Sequence, residues 1–369
     1  MQRFTEACTV GKQWVDGANG CIKSFSQAAG QKDPGMAGHP PKLGQPQGAH
    51  IWSSLSLRPA SGPGTKTGSS CHNTVVDSSV ELHLRGLIFQ RLAEIAAARG
   101  VVRRAELETL EVAGEPRRII DRSRGIWNPK DLAATLSVVS NPHGPYRDEG
   151  VGDSLFAYDY RAGSIDGDNR KLRRAMDLQL PIILLRTIEP GIFVPVFPVY
   201  VVGDDMPNKR FMLALDETLR LVNDPLHLDP IEKTYAVRAV KQRLHQPEFR
   251  GRIMLAYEEK CAVCRLKHGQ LLDAAHIIGD DKPHGLPVVQ NGLSLCKIHH
   301  AAYDANLLGV SPDYAVRINR SLMDEIDGPM LRHGLQEMDG GLLNVPTREV
   351  DRPSKDLLAE RFTEFLTAG

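Results

Sequence analysis

Residues 261–304 read CAVCRLKHGQLLDAAHIIGDDKPHGLPVVQNGLSLCKIHHAAYD. The stretch opens with the pair Cys261 and Cys264 and closes around a second pair, Cys296 and His299, each with two residues between its members. Three thiolates and one imidazole are soft or borderline ligands, the tetrahedral set that Zn²⁺ prefers in structural sites. The spacing therefore predicts one zinc ion that ties the two ends of this stretch together.

Either of two neighbouring histidines could be the fourth ligand, because His299 and His300 both lie one helical turn beyond Cys296. We favour His299, which keeps the two-residue gap and leaves His300 for chemistry. The cysteines of this stretch lie close together among histidines, and nothing in the sequence indicates the oxidising compartment that a disulfide framework needs.

Between the two pairs, the residue order resembles the HNH endonuclease family. His276, Asn291 and His300 match the three letters of the family motif in order, and the resemblance spans roughly residues 250–320. It implies a ββα-metal fold, which is a two-stranded hairpin, an Asn-containing loop and a helix. It also implies hydrolysis of phosphodiester bonds.

The resemblance assigns a role to each motif residue. His276 is the expected general base, since an imidazole titrates near neutral pH. Asn291 is expected to fix the orientation of His276 through backbone hydrogen bonds, and His300 to hold a hard cation, Mg²⁺ or Mn²⁺, together with a carboxylate. Many members carry an acidic residue directly before the first histidine, whereas Ala275 stands there in this chain. The nearest carboxylate is Asp273, which we expect to be the second ligand.

The rest of the chain divides by composition. Residues 1–77 are rich in Gly, Pro, Ser and Gln without a sustained hydrophobic period, so we expect a disordered arm. From Ser78 the apolar spacing predicts a helix that ends at Gly100. Further on we predict a half-buried strand over 155–161, a helix over 171–178, and strands over 181–188 and 193–202. Residues 78–220 therefore form the first predicted domain.

Taken together, residues 80–369 resemble bacterial HNH restriction endonucleases whose N-terminal part is similar to the PUA and SRA-like readers of modified bases. Residues 125–129, 158–161, 168–169 and 196–203 carry this resemblance. It implies a β-rich fold that accepts a flipped nucleotide, in which aromatic rings stack on the base and polar groups bind its edge. The candidates for these contacts are Trp127, Tyr158, Asp159 and Tyr160, and for the aromatic residues a place in the core is the alternative.

A basic stretch precedes the motif. Residues 231–257 are predicted to be helical with an interruption at Pro247, and they open a second domain, residues 231–369, which is the nuclease with a C-terminal extension. Clustered Lys and Arg residues usually form a helix face that is exposed to solvent. The position of this basic stretch directly before the HNH motif nevertheless favours contact with DNA phosphates. The candidate DNA-binding residues here are Lys233, Arg238, Lys241, Arg243, Arg250 and Arg252.

The composition of the whole chain limits its possible partners and location. Lys and Arg number 45 and Asp and Glu 45, so the net charge is zero and neither favours nor excludes a polyanionic partner. No apolar run reaches the roughly 18 residues of a membrane span, and no secretory signal is visible, so we expect a cytoplasmic protein.

The predicted fold class is α+β, a β-rich PUA/SRA-like domain followed by a zinc-stabilised ββα-metal nuclease domain. The predicted function is metal-dependent cleavage of double-stranded DNA, most simply as a modification-dependent restriction enzyme. A site-specific HNH nuclease indifferent to modification and a non-catalytic, zinc-stabilised nucleic-acid binding protein are the alternatives. Monomer and homodimer both stay open.

Overall fold

A computed structural model of the chain describes residues 78–142, 149–150, 155–161 and 167–368. The predicted arm of residues 1–77 lies outside the described residues. The helices are α1 (Ser78–Arg99), α2 (Arg104–Glu108), α3 (Asp168–Asp177), α4 (Pro230–Val240), α5 (Gln246–Ala256), α6 (Lys297–Asp304), α7 (Arg320–Met323), α8 (Pro329–Gly334) and α9 (Lys355–Ala368). The strands are β1 (Val102–Arg103), β2 (Leu110–Val112), β3 (Glu115–Arg117), β4 (Ile126–Trp127), β5 (Ser137–Ser140), β6 (Glu149–Gly150), β7 (Phe156–Asp159), β8 (Ile182–Glu189), β9 (Ile192–Asp205), β10 (Arg210–Ala214), β11 (Leu272–His276), β12 (Gly292–Cys296), β13 (Leu308–Val310) and β14 (Val316–Ile318).

Helix α1 confirms the first predicted element. It ends at Arg99, and Gly100 follows with φ +74°, a left-handed conformation that a residue without a Cβ adopts without strain. The N–H of Gly100 donates to the carbonyl oxygen of Ala96 at 2.6 Å, which satisfies one of the last carbonyl groups of the helix.

Eight of the described strands form one mixed sheet in the order β4-β5-β8-β9-β10-β7-β6, with β1 paired to β9. Strands β5 and β8 run parallel, and the other described pairs of this sheet are antiparallel. Ile182 and Leu184 of β8 belong to one hydrophobic cluster, and Ile183 and Leu185 to another. Successive side chains of a strand point to opposite faces, so this sheet buries a core on each side.

A buried ion pair fastens α1 to the sheet. Arg85 and Glu81 are 0% and 1% exposed, and their closest atoms are 2.6 Å apart. The guanidinium also donates to the carbonyl oxygens of Pro181 and Ala134, while Glu81 accepts from the N–H of Ala133. Burial lowers the pKa of Arg85 although Glu81 opposes that shift. Each charge is therefore matched by hydrogen bonds, as a buried pair requires.

The predicted helix over 231–257 is continuous, which corrects the expected interruption at Pro247. Helices α4 and α5 are joined by a π-helical turn, Lys241–His245, and Pro247 lies in the first turn of α5. A proline has no N–H to donate, and the wider π turn immediately before it accommodates the changed hydrogen-bond pattern.

The C-terminal elements surround a further hydrophobic cluster that joins α5, β11, β12, α6 and α9. Strand β8 reaches α5 through an ion pair between Arg186 and Glu248, whose closest atoms are 2.6 Å apart. The described residues fall within one compact unit. The division into domains at residues 220–231 therefore stays a prediction. Among the described helices, none has the length and apolar character of a membrane-spanning segment.

We expect Arg85→Met to lower the free energy of unfolding by about 3 kcal/mol or more, because the Glu81 carboxylate would remain buried without its partner. Urea denaturation of the full chain measures the change. Arg91→Met is the matched control, since Arg91 pairs with Glu94 on the exposed side of the same helix and should change stability little. Equal effects of the two substitutions would contradict the structural role of the buried pair.

Candidate metal centre and catalytic site

Four side chains with metal-binding atoms converge beside the hairpin of β11 and β12. Cys261 and Cys264 lie in the turn after α5, Cys296 ends β12, and His299 lies in the first turn of α6. Their ligand atoms all lie within 4.8 Å of one another. Three sulfurs and one imidazole nitrogen are the donor set of a structural zinc site, so the residues fit a tetrahedral metal ion.

The orientation of His299 suits this role. Its Nδ1 atom lies 3.4 Å from Sγ of Cys261 and 3.1 Å from Sγ of Cys296, while Nε2 donates to the carbonyl oxygen of Gly334 at 2.8 Å. A ligating histidine characteristically uses its second nitrogen in this way, which fixes the ring and its tautomer. His300 faces other partners, so the structure groups His299 rather than His300 with the cysteines.

The hairpin sets the register of the motif. Strands β11 and β12 are antiparallel, with Leu272 opposite Cys296 and His276 opposite Gly292. One end of the pair therefore leads into the metal-binding residues, and His276 lies at the other end. Helix α6 begins directly after β12, so the chain has the ββα order that the family resemblance implies.

His276 is held against α5. Its ring stacks on Phe249, with 4.0 Å between the ring centres and 14° between the planes. Gly292 allows this packing, because a Cβ there would lie 2.7 Å from the Phe249 ring. The Nε2 atom of His276 is buried and has no hydrogen-bond partner among the described residues. Burial lowers the pKa of His276; Asp280 opposes this shift, and Lys241 and His300 add to it.

Asn291 is fully buried and fastens the loop between the two strands. Its side-chain oxygen accepts from the N–H of Ile278 at 2.9 Å. Its amide nitrogen donates to the carbonyl oxygens of Ile278 and Leu286, at 2.9 and 3.0 Å. Ile278 lies two residues after His276, so these bonds fix the backbone on which His276 is mounted.

His300 lies between two carboxylates. Its Nδ1 is 3.3 Å from Asp273, and its Nε2 is 3.3 Å from Asp304. The carboxylates contact opposite edges of the ring. Asp273 also pairs with Lys297 at 2.5 Å. Burial tends to raise the pKa of Asp273, but Lys297 and His300 lower it overall, so the carboxylate stays ionised.

A cleft of about 460 Å³ opens beside His276. Its walls come from α4, the π turn, α5 and the loop between β11 and β12. Lys241, in the π turn, and Asp280, in the loop between β11 and β12, both line this cleft. They form an ion pair in which Nζ of Lys241 lies 3.0 Å from a carboxylate oxygen of Asp280.

The predicted basic residues have different surroundings. Lys233 and Arg238 are exposed on α4. Arg243 lies 3.6 Å from Asp216, and Arg252 borders a cleft that also contains Glu189. The guanidinium of Arg250 donates to the carbonyl oxygens of Leu272 and Gly269, at 2.6 and 3.0 Å, which gives it a structural role instead of the expected phosphate contact.

The candidate base-binding residues of the first domain are held by their neighbours. Tyr158 is completely buried, and its hydroxyl donates to the carbonyl oxygen of Gly125 at 3.0 Å, so the ring occupies the core instead of a base-binding surface. The indole nitrogen of Trp127 donates to the carbonyl oxygen of Arg118. Tyr160 hydrogen bonds with Asp204. Asp159 lies opposite Arg210 in the register of β7 and β10, and it is half-buried.

Sequence reasoning missed Phe249, Lys297 and Gly334 as parts of the site. Phe249 and Gly334 contact His276 and His299 from distant positions in the chain, so no local pattern marks them. Lys297 follows a metal-binding cysteine, and only the pairing of β11 with β12 shows that it meets Asp273.

Comparison with protein families matches residues 261–311 to the HNH endonuclease family. The match contains the metal-binding residues and the hairpin, with His276 at the end of its first strand. Residues 261–311 form an HNH endonuclease domain. The chain is thus a nuclease that hydrolyses phosphodiester bonds.

Two solved structures are similar to this chain at low identity. The modification-dependent TagI restriction endonuclease has 16% identity and a TM-score of 0.24, and the match covers 71% of this chain and 90% of that one. The Type IV phosphorothioation-dependent restriction endonuclease ScoMcrA has 13% identity and a TM-score of 0.20, covering 67% of this chain and 52% of that one. At these TM-scores neither likeness supports a conclusion about fold or substrate. No curated protein matches the chain.

We expect Cys296→Ser to release the bound metal and to lower the melting temperature of the HNH endonuclease domain, because Cys296 belongs both to the donor cluster and to the surrounding core. Elemental analysis and thermal unfolding measure the two effects. Cys71→Ser, outside the described residues, is the control and should keep the metal. A metal-free wild-type protein with full stability would contradict the assignment.

Proposed function

We propose that this chain is a metal-dependent DNA endonuclease that restricts foreign DNA carrying modified bases. The nuclease part of the proposal is supported by one arrangement. A neutral, half-buried imidazole at the end of β11 lies in the same small fold as a His300 flanked by carboxylates. Phosphodiester hydrolysis needs a base to activate water and a cation to stabilise the phosphate.

The geometry supports a role for each of two ions in this proposal. Zinc is the proposed ion at Cys261, Cys264, Cys296 and His299, where it holds the fold together. Mg²⁺ or Mn²⁺ is the proposed ion at His300 and Asp273; when bound, it supplies positive charge that stabilises the phosphate and the leaving oxygen.

His276 performs the proton transfer in this proposal. Because Nε2 is buried, Nδ1 is the nitrogen that accepts a proton from the attacking water. The water oxygen forms a bond to phosphorus, the bond to the leaving oxygen breaks, and that oxygen finally takes up a proton from solvent. Asn291 keeps the strand end in place during this step through its three bonds to the loop backbone.

Modification dependence is supported by the resemblance of residues 80–369 and by a limit of the catalytic centre. An HNH centre contacts the scissile phosphate, and phosphate contacts carry no direct sequence information. Discrimination among double-stranded DNA targets therefore falls to residues 78–220 in this proposal, with Trp127, Asp159 and Tyr160 as remaining candidates. We expect the enzyme to act in the cytoplasm, and a homodimer is one arrangement that would cut both strands.

The pH dependence of cleavage tests the base. A proton acceptor must be neutral, and burial lowers the pKa of His276, so the single-turnover rate at saturating DNA should stay level through the ordinary imidazole value of about 6.5 and fall only below it. Asp280→Asn should move this acidic limb to lower pH, because the carboxylate raises the pKa of His276. Lys241→Met should move it to higher pH, because the ammonium lowers that pKa. If both substitutions moved the acidic limb in the same direction, a group other than His276 would be responsible for it.

Substrate choice is tested on matched duplexes with plain, methylated or hydroxymethylated cytosine. The full-length His276→Ala variant should bind a modified duplex at least about tenfold more tightly than the plain one, since the modified base supplies contacts that offset its unstacking. The wild-type enzyme should cut the same duplex with Mg²⁺ or Mn²⁺. Equal binding with cleavage of plain DNA would favour a site-specific nuclease. Binding without any cleavage would favour a non-catalytic binding protein.

A further inference from the structure

The carboxylate of Asp273 is shared between a histidine and a lysine. One oxygen lies 3.3 Å from Nδ1 of His300, and the other lies 2.5 Å from Nζ of Lys297. Arg250 approaches the same second oxygen at 3.7 Å. The lysine ammonium therefore neutralises part of the negative charge with which Asp273 would attract a metal ion.

Of these three partners of Asp273, Lys297 is the one with the fewest other contacts. The guanidinium of Arg250 is fixed by the carbonyl oxygens of Leu272 and Gly269. His300 is bounded on its other edge by Asp304. The side chain of Lys297 is 57% exposed, and Asp273 is its ion-pair partner among the described residues.

The position of Lys297 in the chain is also unfavourable for its own helix. It is the first residue of α6, and the N-terminus of a helix carries partial positive charge that disfavours a cation. Contact with Asp273 offsets this repulsion, and contact with a DNA phosphate would do so equally. A flexible ammonium at this place suits exchange between two anions.

We propose that Lys297 competes with the catalytic divalent ion for Asp273 and moves to a DNA phosphate when that ion binds. This inference rests on the proposed cation site at Asp273 and His300. In the free protein Lys297 weakens metal binding. On DNA the phosphate accepts the ammonium, the carboxylate becomes available, and the affinity for the ion rises. Linkage requires that the ion raise the affinity for DNA by the same factor.

The test measures Mn²⁺ binding by electron paramagnetic resonance on the full-length His276→Ala protein, with and without duplex DNA. In the absence of DNA, Lys297→Met should bind Mn²⁺ about fivefold or more tightly than its parent, and the further gain on adding DNA should shrink. Lys297→Arg keeps the positive charge and should retain most of the coupling. Lys260→Met is the matched control, because Lys260 pairs with Glu258 instead of Asp273, and should behave like the parent.

The outcomes separate the inference from the proposed function. If Asp273→Asn and His300→Ala weaken Mn²⁺ binding but Lys297→Met matches the Lys260→Met control, the cation site stands and the exchange is wrong. If Asp273→Asn and His300→Ala leave Mn²⁺ affinity unchanged, the cation site itself is wrong. Melting temperatures of all variants exclude loss of the fold as the cause.

Discussion

Cys261, Cys264, Cys296 and His299 come from two separate pieces of chain, and their ligand atoms lie within 4.8 Å of one another. The turn after α5 and the junction of β12 with α6 share a hydrophobic cluster, but a hairpin of two five-residue strands and an eight-residue helix bury little surface alone. A metal ion bound at this point would add to the free energy of unfolding. The geometry of the rest of the HNH endonuclease domain depends on that constraint.

The catalytic geometry extends outward from this centre. The pairing of β11 with β12 carries His276 to the far end of the hairpin, where Phe249 and Asn291 fix its ring and its backbone. The same pairing brings Lys297 onto Asp273. Stability and the proposed chemistry thus share one small set of contacts, which is the support that His276 would need as a general base.

Local patterns in the sequence predicted the parts of the structure that local forces determine. The cysteine spacing, the helix that ends just before Gly100 and the buried strand before Gly191 were all visible in this way. Contacts between distant residues were not visible. The sequence pattern predicted that Arg250 contacts phosphate, whereas its guanidinium donates to the carbonyl oxygen of Leu272. Alternation along residues 155–161 predicted one buried face, which includes Tyr158, but it did not reveal that Ala157 on the opposite face is buried as well.

We propose that one metal ion, held by three sulfurs and one imidazole nitrogen, organises the nuclease. X-ray absorption at the zinc edge on the purified full-length protein tests it most directly. The account predicts one zinc per chain with three sulfur neighbours at about 2.3 Å and one nitrogen at about 2.0 Å. A protein that cleaves DNA while containing no zinc, or whose zinc has oxygen and nitrogen neighbours alone, would contradict it.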